Sequence, residues 1–445
     1  MLNKENSHKK TEWFTNDRFG MFIHWGLYSI PARGEWVRSV EEISVEDYQK
    51  YFDAFDPTDY DPGKWARIAK DAGMKYAVLT AKHHDGFCLF DSKLTDYKAT
   101  NTRAKRDLVR EYVEAFRAEG LKVGLYYSLV DWHHPEMFVD SARHPMRNNE
   151  AFRTAPRNVD KYLDYMHGQV EELCTNYGQI DLMWFDFSYD DFVGEGWRAT
   201  ELVRMMRKHQ PNILINSRLE YHGQSSILTG NPKEYTGDFM NPEKIVPPEG
   251  IVDINGDPVV WEACVTTNIH WSYNRTDKNF KTSDILIKKL VECVSKGGNL
   301  LLNVGPTAKG SFPSEAIAAL GGVGDWMKQN SNSIYGCGNA GLPKPEYGRI
   351  TKKKNILYYH IHDGFEYIPL PGVNADQIKR IWRVSTGEEI KINEEWMARN
   401  FPEYVFIAFR EDAVLLDPVD TVIGVELTAS PPRKATNTQT QLLTP

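Results

Sequence analysis

A carboxylate stands at the end of an apolar stretch near the middle of the chain. Residues 180–186 read Ile-Asp-Leu-Met-Trp-Phe-Asp, which is typical of a buried strand that ends on Asp186. Apolar side chains recur at helical spacing over 159–173, so a long amphipathic helix is predicted before this strand. A strand-end carboxylate walled by Trp184 and Phe185 suits a retaining glycosidase, which needs an anion beside a sugar carbon that becomes cationic. The alternative is that Asp186 caps the next helix or pairs with a cation.

Histidines follow two other predicted strands. His24 ends the strand predicted over 20–25, and His83 and His84 stand just after the strand predicted over 75–81. Imidazoles at strand ends can bind sugar hydroxyls or ligate a metal ion, and a metal needs further ligands. No pair of histidines shows the spacing of known zinc hydrolases, so we predict no metal. The alternative is that these histidines hold loops in place.

A glycosidase also needs a second carboxyl group to protonate the leaving group. The chain offers several in one long loop and one more beyond it: Glu220, Glu234, Asp238, Glu243, Glu249 and Glu262. Spacing along a loop does not choose among them. Arg218, at the end of a strand predicted over 212–218, could keep Asp186 ionised, bind a sugar hydroxyl, or form a structural ion pair.

Short apolar strands alternate with amphipathic helices over residues 17–335. Repeated helix–strand units imply parallel strands with right-handed crossovers. No GxGxxG motif follows the first strand, so an α/β fold with a (β/α)8-like barrel over 1–338 is predicted rather than a doubly wound sheet. The irregular segments 130–157 and 219–258 follow strand ends, and we expect them on the active face of the barrel.

The pattern changes after about residue 340. Short strand-like runs separated by turn residues predict a C-terminal all-β sandwich domain over 339–430. The tail 431–445 has few apolar side chains to bury, and we predict that it is mobile.

Composition excludes several classes of protein. The 445 residues are 41% hydrophobic with a net charge of −8, so a sizeable core is expected and the basic stripe of a nucleic-acid binder is missing. No window of 18 apolar residues predicts a membrane helix. The polar first ten residues lack the apolar region of a secretory signal, and five widely spaced cysteines predict reduced thiols. These features predict a cytoplasmic protein; a processed exported chain is the alternative.

Ten segments in order resemble the α-L-fucosidases of glycoside hydrolase family 29. They span residues 13 to about 335, nearly the whole predicted barrel, whereas the C-terminal part resembles the family's β-sandwich only in composition and place. The matching segments are 19–26, 34–36, 81–87, 125–128, 184–186, 216–218, 237–243, 261–264, 271–274 and 297–306.

The resemblance implies a retaining exo-α-L-fucosidase that hydrolyses terminal α-L-fucose from glycans or glycosides by double displacement, without metal or organic cofactor. Asp186 matches the family nucleophile. Glu243 matches a segment in which many members carry the acid/base, and Glu262 and then Glu234 are the alternatives. The residues that match sugar-binding positions, the last three only in some members, are His24, His83, His84, Tyr127, Trp184, Arg218, Glu35, Trp36 and Trp271.

Two further expectations come from the resemblance. The methyl group of fucose would favour an apolar patch that includes Trp271 or Phe22. Phe187 departs from the glycine commonly found after the nucleophile, and its bulky side chain is expected to reshape the leaving-group side.

Three alternative functions stay open. The first is a metal-dependent barrel hydrolase using the three histidines and Asp186. The second is a fucose-binding protein without catalysis, and the third is a retaining glycosidase of altered sugar specificity. The expected partner is a fucosylated oligosaccharide or glycoside, with neither nucleic acid nor membrane. The oligomeric state stays open, a homo-oligomer being possible.

Overall fold

The computed structural model describes most of the chain, namely residues 4–188, 192–220, 225–363, 367–394, 396–408 and 417–428. The chain divides into two compact units, one ending at residue 328 and the other formed by 329 onward with the short segment 294–296. The boundary predicted at residue 338 stays a prediction, and the tail predicted to be mobile lies outside the described residues.

Seven strands of the first unit form one parallel sheet. They are β1 (Phe19–Ile23), β2 (Tyr76–Lys82), β3 (Lys122–Ser128), β4 (Leu182–Asp186), β5 (Leu214–Ile215), β6 (Glu262–Thr266) and β7 (Asn299–Val304). Their order is β5-β4-β3-β2-β1-β7-β6. The strands are buried along almost their whole length, as expected of parallel strands covered on both faces.

A segment without regular strand structure closes this sheet into a barrel. Phe239 bridges Asn216 just beyond β5, and Met240 and Glu243 bridge Trp261 and Cys264 at β6, all in parallel. The segment 238–243 is therefore the eighth stave, between the two edge strands. This closure confirms the predicted (β/α)8-like barrel, and it places Glu243 at the C-terminal end of a stave, where barrel enzymes carry their chemistry.

Helices connect the strands. They are α1 (Lys4–Asp17), α2 (Val37–Val40), α3 (Val45–Ala54), α4 (Pro62–Asp71), α5 (Leu108–Ala118), α6 (Glu150–Thr154), α7 (Val159–Asn176), α8 (Ala199–His209), α9 (Ser283–Ser295) and α10 (Ser314–Asn330). Asp61, Asp107 and Asn158 begin α4, α5 and α7 by accepting a hydrogen bond from the backbone N–H three residues later, which stabilises a helix N-terminus. Among the described residues, no helix is long and apolar enough to cross a membrane.

The second unit is built from antiparallel strands. They are β8 (Gly338–Asn339), β9 (Gly348–Lys353), β10 (Ile356–Ile361), β11 (Tyr367–Leu370), β12 (Ile378–Arg383), β13 (Val405–Ala408) and β14 (Thr421–Leu427), with the short helix α11 (Trp396–Asn400) before β13. One sheet has the order β12-β14-β10-β9-β8, and the other pairs β11 with β13. Leu357 and Ile423 of the first sheet share a core with Ile368 and Ile407 of the second, which confirms the predicted all-β sandwich domain.

Candidate active site

A small pocket opens at the C-terminal ends of the barrel strands. Its cavity volume is about 80 Å³, which holds a few water molecules. The residues that line it are Phe22, His24, Trp36, His83, His84, Tyr126, Trp184, Asp186, Phe187, Arg218, Glu243 and Trp271. The structure thus brings together most side chains predicted from the sequence, although they are far apart along the chain.

Asp186 is the last residue of β4, and its carboxylate is held by two donors. The Tyr126 hydroxyl donates to Oδ2 at 2.9 Å, and Arg218 Nη1 donates to Oδ1 at 3.2 Å. Burial raises the pKa of the Asp186 carboxyl above its ordinary value, while the charge of Arg218 and the hydrogen bond from Tyr126 oppose that rise. The side chain is 19% exposed, so the carboxylate is fixed in place and still faces the pocket.

The same guanidinium reaches the second predicted catalytic carboxylate. Arg218 Nη2 donates to Glu243 Oε2 at 3.0 Å. Burial works to lower the pKa of Arg218, but the Asp186 and Glu243 carboxylates raise it above its ordinary value, so Arg218 carries a full positive charge. The guanidinium also lies 5.0 Å from the centre of the Trp184 ring. Arg218 therefore bridges two carboxylates across one pocket, and Glu243, 44% exposed, is the outer of the two.

The structure places neither alternative acid/base in the pocket. Glu234 is exposed and forms a bidentate ion pair with Arg204 of α8, with both contacts at 2.6 Å. Glu262 is 0% exposed and accepts a hydrogen bond from the Tyr76 hydroxyl. Burial raises the pKa of Glu262 to about 8, opposed by the hydrogen bond from Tyr76. A raised pKa would suit a general acid, but Glu262 lies in the barrel interior and does not line the pocket.

Glu262→Gln should stabilise the protein increasingly as pH rises. Below the ordinary pKa of 4.5 the carboxyl is protonated in both states, and between 4.5 and about 8 only the unfolded chain ionises, so the wild type loses stability over that window. The gain of the amide variant should reach on the order of 4 kcal/mol at pH 8 and stay constant above it. Urea unfolding at pH 5 and pH 8 measures it, with exposed Glu234→Gln as the matched control. An equal difference from wild type at both pH values would contradict a protonated Glu262.

His24 and Asn303 fix one side of the pocket. His24 Nδ1 lies 2.6 Å from Asn303 Oδ1, and Asn303 Nδ2 donates to the Trp271 carbonyl at 2.6 Å. Since the amide nitrogen is committed to that carbonyl, we assign the proton of His24 to Nδ1 and leave Nε2 as an acceptor. Burial lowers the pKa of His24 to about 3, against the hydrogen bond to Asn303, so the ring is neutral.

His84, also in the pocket lining, is held in the same way. Ser128 Oγ donates to the Val130 carbonyl at 2.7 Å, so the 2.7 Å contact with His84 Nδ1 is a bond that His84 donates. Burial lowers the pKa of His84 to about 3, and its Nε2 lies 3.8 Å from Asp186 Oδ2. His83 stacks on Tyr126 at 5.5 Å between ring centres. Both histidines line the pocket.

The described part of the chain contains no group of three or more His, Cys, Asp and Glu side chains arranged to hold a metal ion. His24 and His84 each commit one ring nitrogen to a protein partner. Their remaining nitrogens fit hydroxyl groups.

Tyr127 does not line the pocket; Tyr126 does. The Tyr127 hydroxyl donates to Gln169 of α7 at 2.8 Å, toward the helical layer, because successive strand residues point to opposite faces. Tyr126 lies directly opposite Trp184 in the register of β3 and β4, so the two share a face. Sequence analysis missed Tyr126, and alignment of the two strands on Trp184 is the signal that would have found it.

Glu35 does not line the pocket, but it contacts a loop that does. It is buried, and its Oε2 accepts a hydrogen bond from the Ser272 N–H at 3.1 Å, which fixes the loop that carries Trp271. The neighbouring Trp36 lines the pocket, with its ring 5.2 Å from that of His84. Of this predicted pair, only Trp36 is therefore placed to touch a ligand.

Comparison with known proteins decides the family. The family model for alpha-L-fucosidase matches residues 2–332. The chain belongs to the α-L-fucosidase family. It is 32% identical over 353 residues to plasma alpha-L-fucosidase from Homo sapiens, covering 73% of this chain and 68% of that one.

Solved structures of fucosidases share both the barrel and the second domain. Alpha-L-fucosidase isoenzyme 1 from Paenibacillus thiaminolyticus is 56% identical, with a TM-score of 0.92 over 95% of this chain and 99% of that chain. A family 29 fucosidase from Bacteroides thetaiotaomicron, solved with a trapped covalent intermediate, is 29% identical, with a TM-score of 0.80 over 95% and 96% of the two chains. This α-L-fucosidase family member is therefore a glycoside hydrolase.

Proposed function

We propose that this chain is a retaining exo-α-L-fucosidase that releases terminal α-L-fucose from glycosides, with Asp186 as nucleophile and Glu243 as acid/base. The observation that carries the proposal is the pair of carboxylates held by Arg218 in one small pocket. The covalent intermediate trapped in the Bacteroides relative supports the retaining course.

In the first step, an Asp186 oxygen forms a bond to the anomeric carbon as the bond to the leaving oxygen breaks. Arg218 and Tyr126 oppose the rise in the Asp186 pKa that burial causes, which favours the anion that the attack requires. Its charge also stabilises the cationic character that develops at the sugar ring. The product of this step is a glycosyl-enzyme ester on Asp186.

Glu243 supplies and later removes one proton. In the first step, protonated Glu243 gives its proton to the departing oxygen, and in the second it takes a proton from the water that breaks the ester. Its greater exposure places it on the outer side of Asp186, where a leaving group would lie. Its contact with Arg218 would open as the leaving group enters.

The remaining lining suits a 6-deoxy sugar. Nε2 of His24 and Nε2 of His84 are acceptors for sugar hydroxyls under the assignment above. Phe22 and Trp271, whose rings lie 6.0 Å apart, offer an apolar surface to the methyl group. The limited cavity volume leaves no room for a run of several sugar rings, which supports exo cleavage.

Hydrolysis of 4-nitrophenyl α-L-fucoside, followed by proton NMR of the freshly released sugar, tests the proposal. We expect turnover with the α anomer of fucose as the first product. The matched control is the α-L-galactoside, which differs by one hydroxyl on the methyl group and should react about 10- to 100-fold more slowly in kcat/KM. A first-formed β anomer would contradict retention, faster galactoside turnover would favour altered specificity, and binding without turnover would favour the binding-protein alternative.

A further inference from the structure

Phe187, the residue after the proposed nucleophile, has an unusual backbone. Its φ is +86°, in the region that favours glycine, so a bulky residue is strained there. In this conformation the Phe187 N–H hydrogen-bonds the Asp186 carboxylate and lowers its pKa. The backbone conformation thus serves Asp186, and glycine would adopt it without strain. The phenyl ring needs a separate explanation.

The ring of Phe187 completes one wall of the pocket. It is 4% exposed, it meets the His84 ring at 4.9 Å and 67°, and it lies 5.9 Å from the Trp36 ring. Trp36 and His84 also contact each other at 5.2 Å. These three residues form an aromatic wall, in which Phe187 fills the space that a glycine would leave open beside two sugar-facing side chains.

The outer side of the ring is covered as well. The guanidinium of Arg143 lies 5.4 Å from the ring centre, a cation–π distance. Arg143 is itself fixed, because Nη1 donates to Asp140 at 2.9 Å and its carbonyl accepts from the Ser39 hydroxyl of α2. Part of the irregular segment 130–157 therefore packs on the Phe187 ring.

We infer that Phe187 is a specificity-determining residue that closes the aromatic wall, so that the pocket accepts a fucosyl group whose hydroxyls on this side are free and rejects one that carries an O-substituent there. The inference rests on the proposed fucosidase function and deepens it. The contacts of the ring with Trp36, His84 and Arg143 offset the strain of the backbone.

The test compares 4-nitrophenyl α-L-fucoside with its three mono-O-methyl ethers, for wild type, Phe187→Gly and Phe187→Ala. Both variants remove the ring, and we expect kcat/KM for at least one ether, relative to the parent, to rise about 10- to 100-fold. Phe187→Gly should also melt at a higher temperature than Phe187→Ala, since alanine keeps the backbone strain. Ratios that match wild type in both variants would overturn the inference.

A matched control distinguishes the effect of relieving backbone strain from the effect of removing the Phe187 ring. Lys354, exposed between β9 and β10, has φ +56°, so Lys354→Gly should raise the melting temperature and leave all substrate ratios unchanged. Calorimetric binding of methyl α-L-fucoside and its methyl ethers gives the same selectivity without turnover. A wild type that binds but does not hydrolyse would contradict the proposed function alone, whereas unchanged binding selectivity in both Phe187 variants would contradict the inference alone.

Discussion

Asp186→Gly is expected to abolish nearly all turnover of an aryl α-L-fucoside, and added azide is expected to restore it with β-fucosyl azide as the product. The carboxylate that forms the covalent ester is gone, and loss of a covalent nucleophile costs up to about 10⁶-fold in kcat in other enzymes; we expect about 10⁴-fold or more here. Glycine leaves a space lined by Tyr126 and Arg218, the two donors that hold the native carboxylate. Azide can occupy it and attack the anomeric carbon from the nucleophile's side. Release of nitrophenol and NMR of the product measure both effects.

Asp186→Asn is the matched control for that experiment. It removes the charge but keeps the volume, so it should lose similar activity and gain nothing from azide. Circular dichroism should show that both variants are folded. Substantial turnover in both, or rescue that yields α-fucosyl azide, would contradict the assignment of Asp186 as nucleophile.

The barrel could be predicted from sequence because its strands are buried on both faces. Such strands appear as continuous apolar runs, as in 180–186, and the helices between them have a clear apolar period. The eighth stave could not be predicted. Gly237 precedes it, Asn241 and Pro242 lie within it, and it pairs with the chain at β5 and β6 through isolated bridges, so it shows no strand pattern. Gly237 is required by tertiary structure alone, since a Cβ there would lie 2.4 Å from the Asn216 backbone.

The site residues likewise fall into those that the sequence predicts and those that it does not. Residues at strand ends, such as His24 and Asp186, follow from the strands themselves, because the ends of parallel strands meet at one edge of the barrel. Tyr126 and Tyr127 are identical neighbours, so the sequence carries no contrast that assigns either to the pocket; only the register with β4 does so. The choice between Glu243 and Glu262 depends on depth in the barrel, since Glu262 is the first residue of β6 and Glu243 lines the pocket at the C-terminal ends of the strands. Spacing along the chain does not encode that depth.

Glu243→Ala is the variant that distinguishes the acid/base from every other carboxylate. Without its proton, departure of a poor leaving group such as a sugar should slow by about 10²- to 10⁴-fold, the usual contribution of general acid catalysis, while departure of fluoride from α-fucosyl fluoride needs no proton and should slow far less. With α-fucosyl fluoride as substrate, water attack on the glycosyl-enzyme ester should then limit turnover. Azide needs no base, so it should accelerate turnover and yield α-fucosyl azide, the anomer opposite to that expected from Asp186→Gly.

The anomer of the azide product therefore assigns each carboxylate, because azide attacks the substrate itself in one variant and the glycosyl-enzyme in the other. Glu234→Ala should leave turnover near wild type, since its carboxylate pairs with Arg204 outside the pocket. Glu262→Ala removes the partner of Tyr76 inside the barrel and should lower stability without giving any azide product. α-Fucosyl azide from either of these variants, or none from Glu243→Ala, would show that the proton comes from a residue other than Glu243.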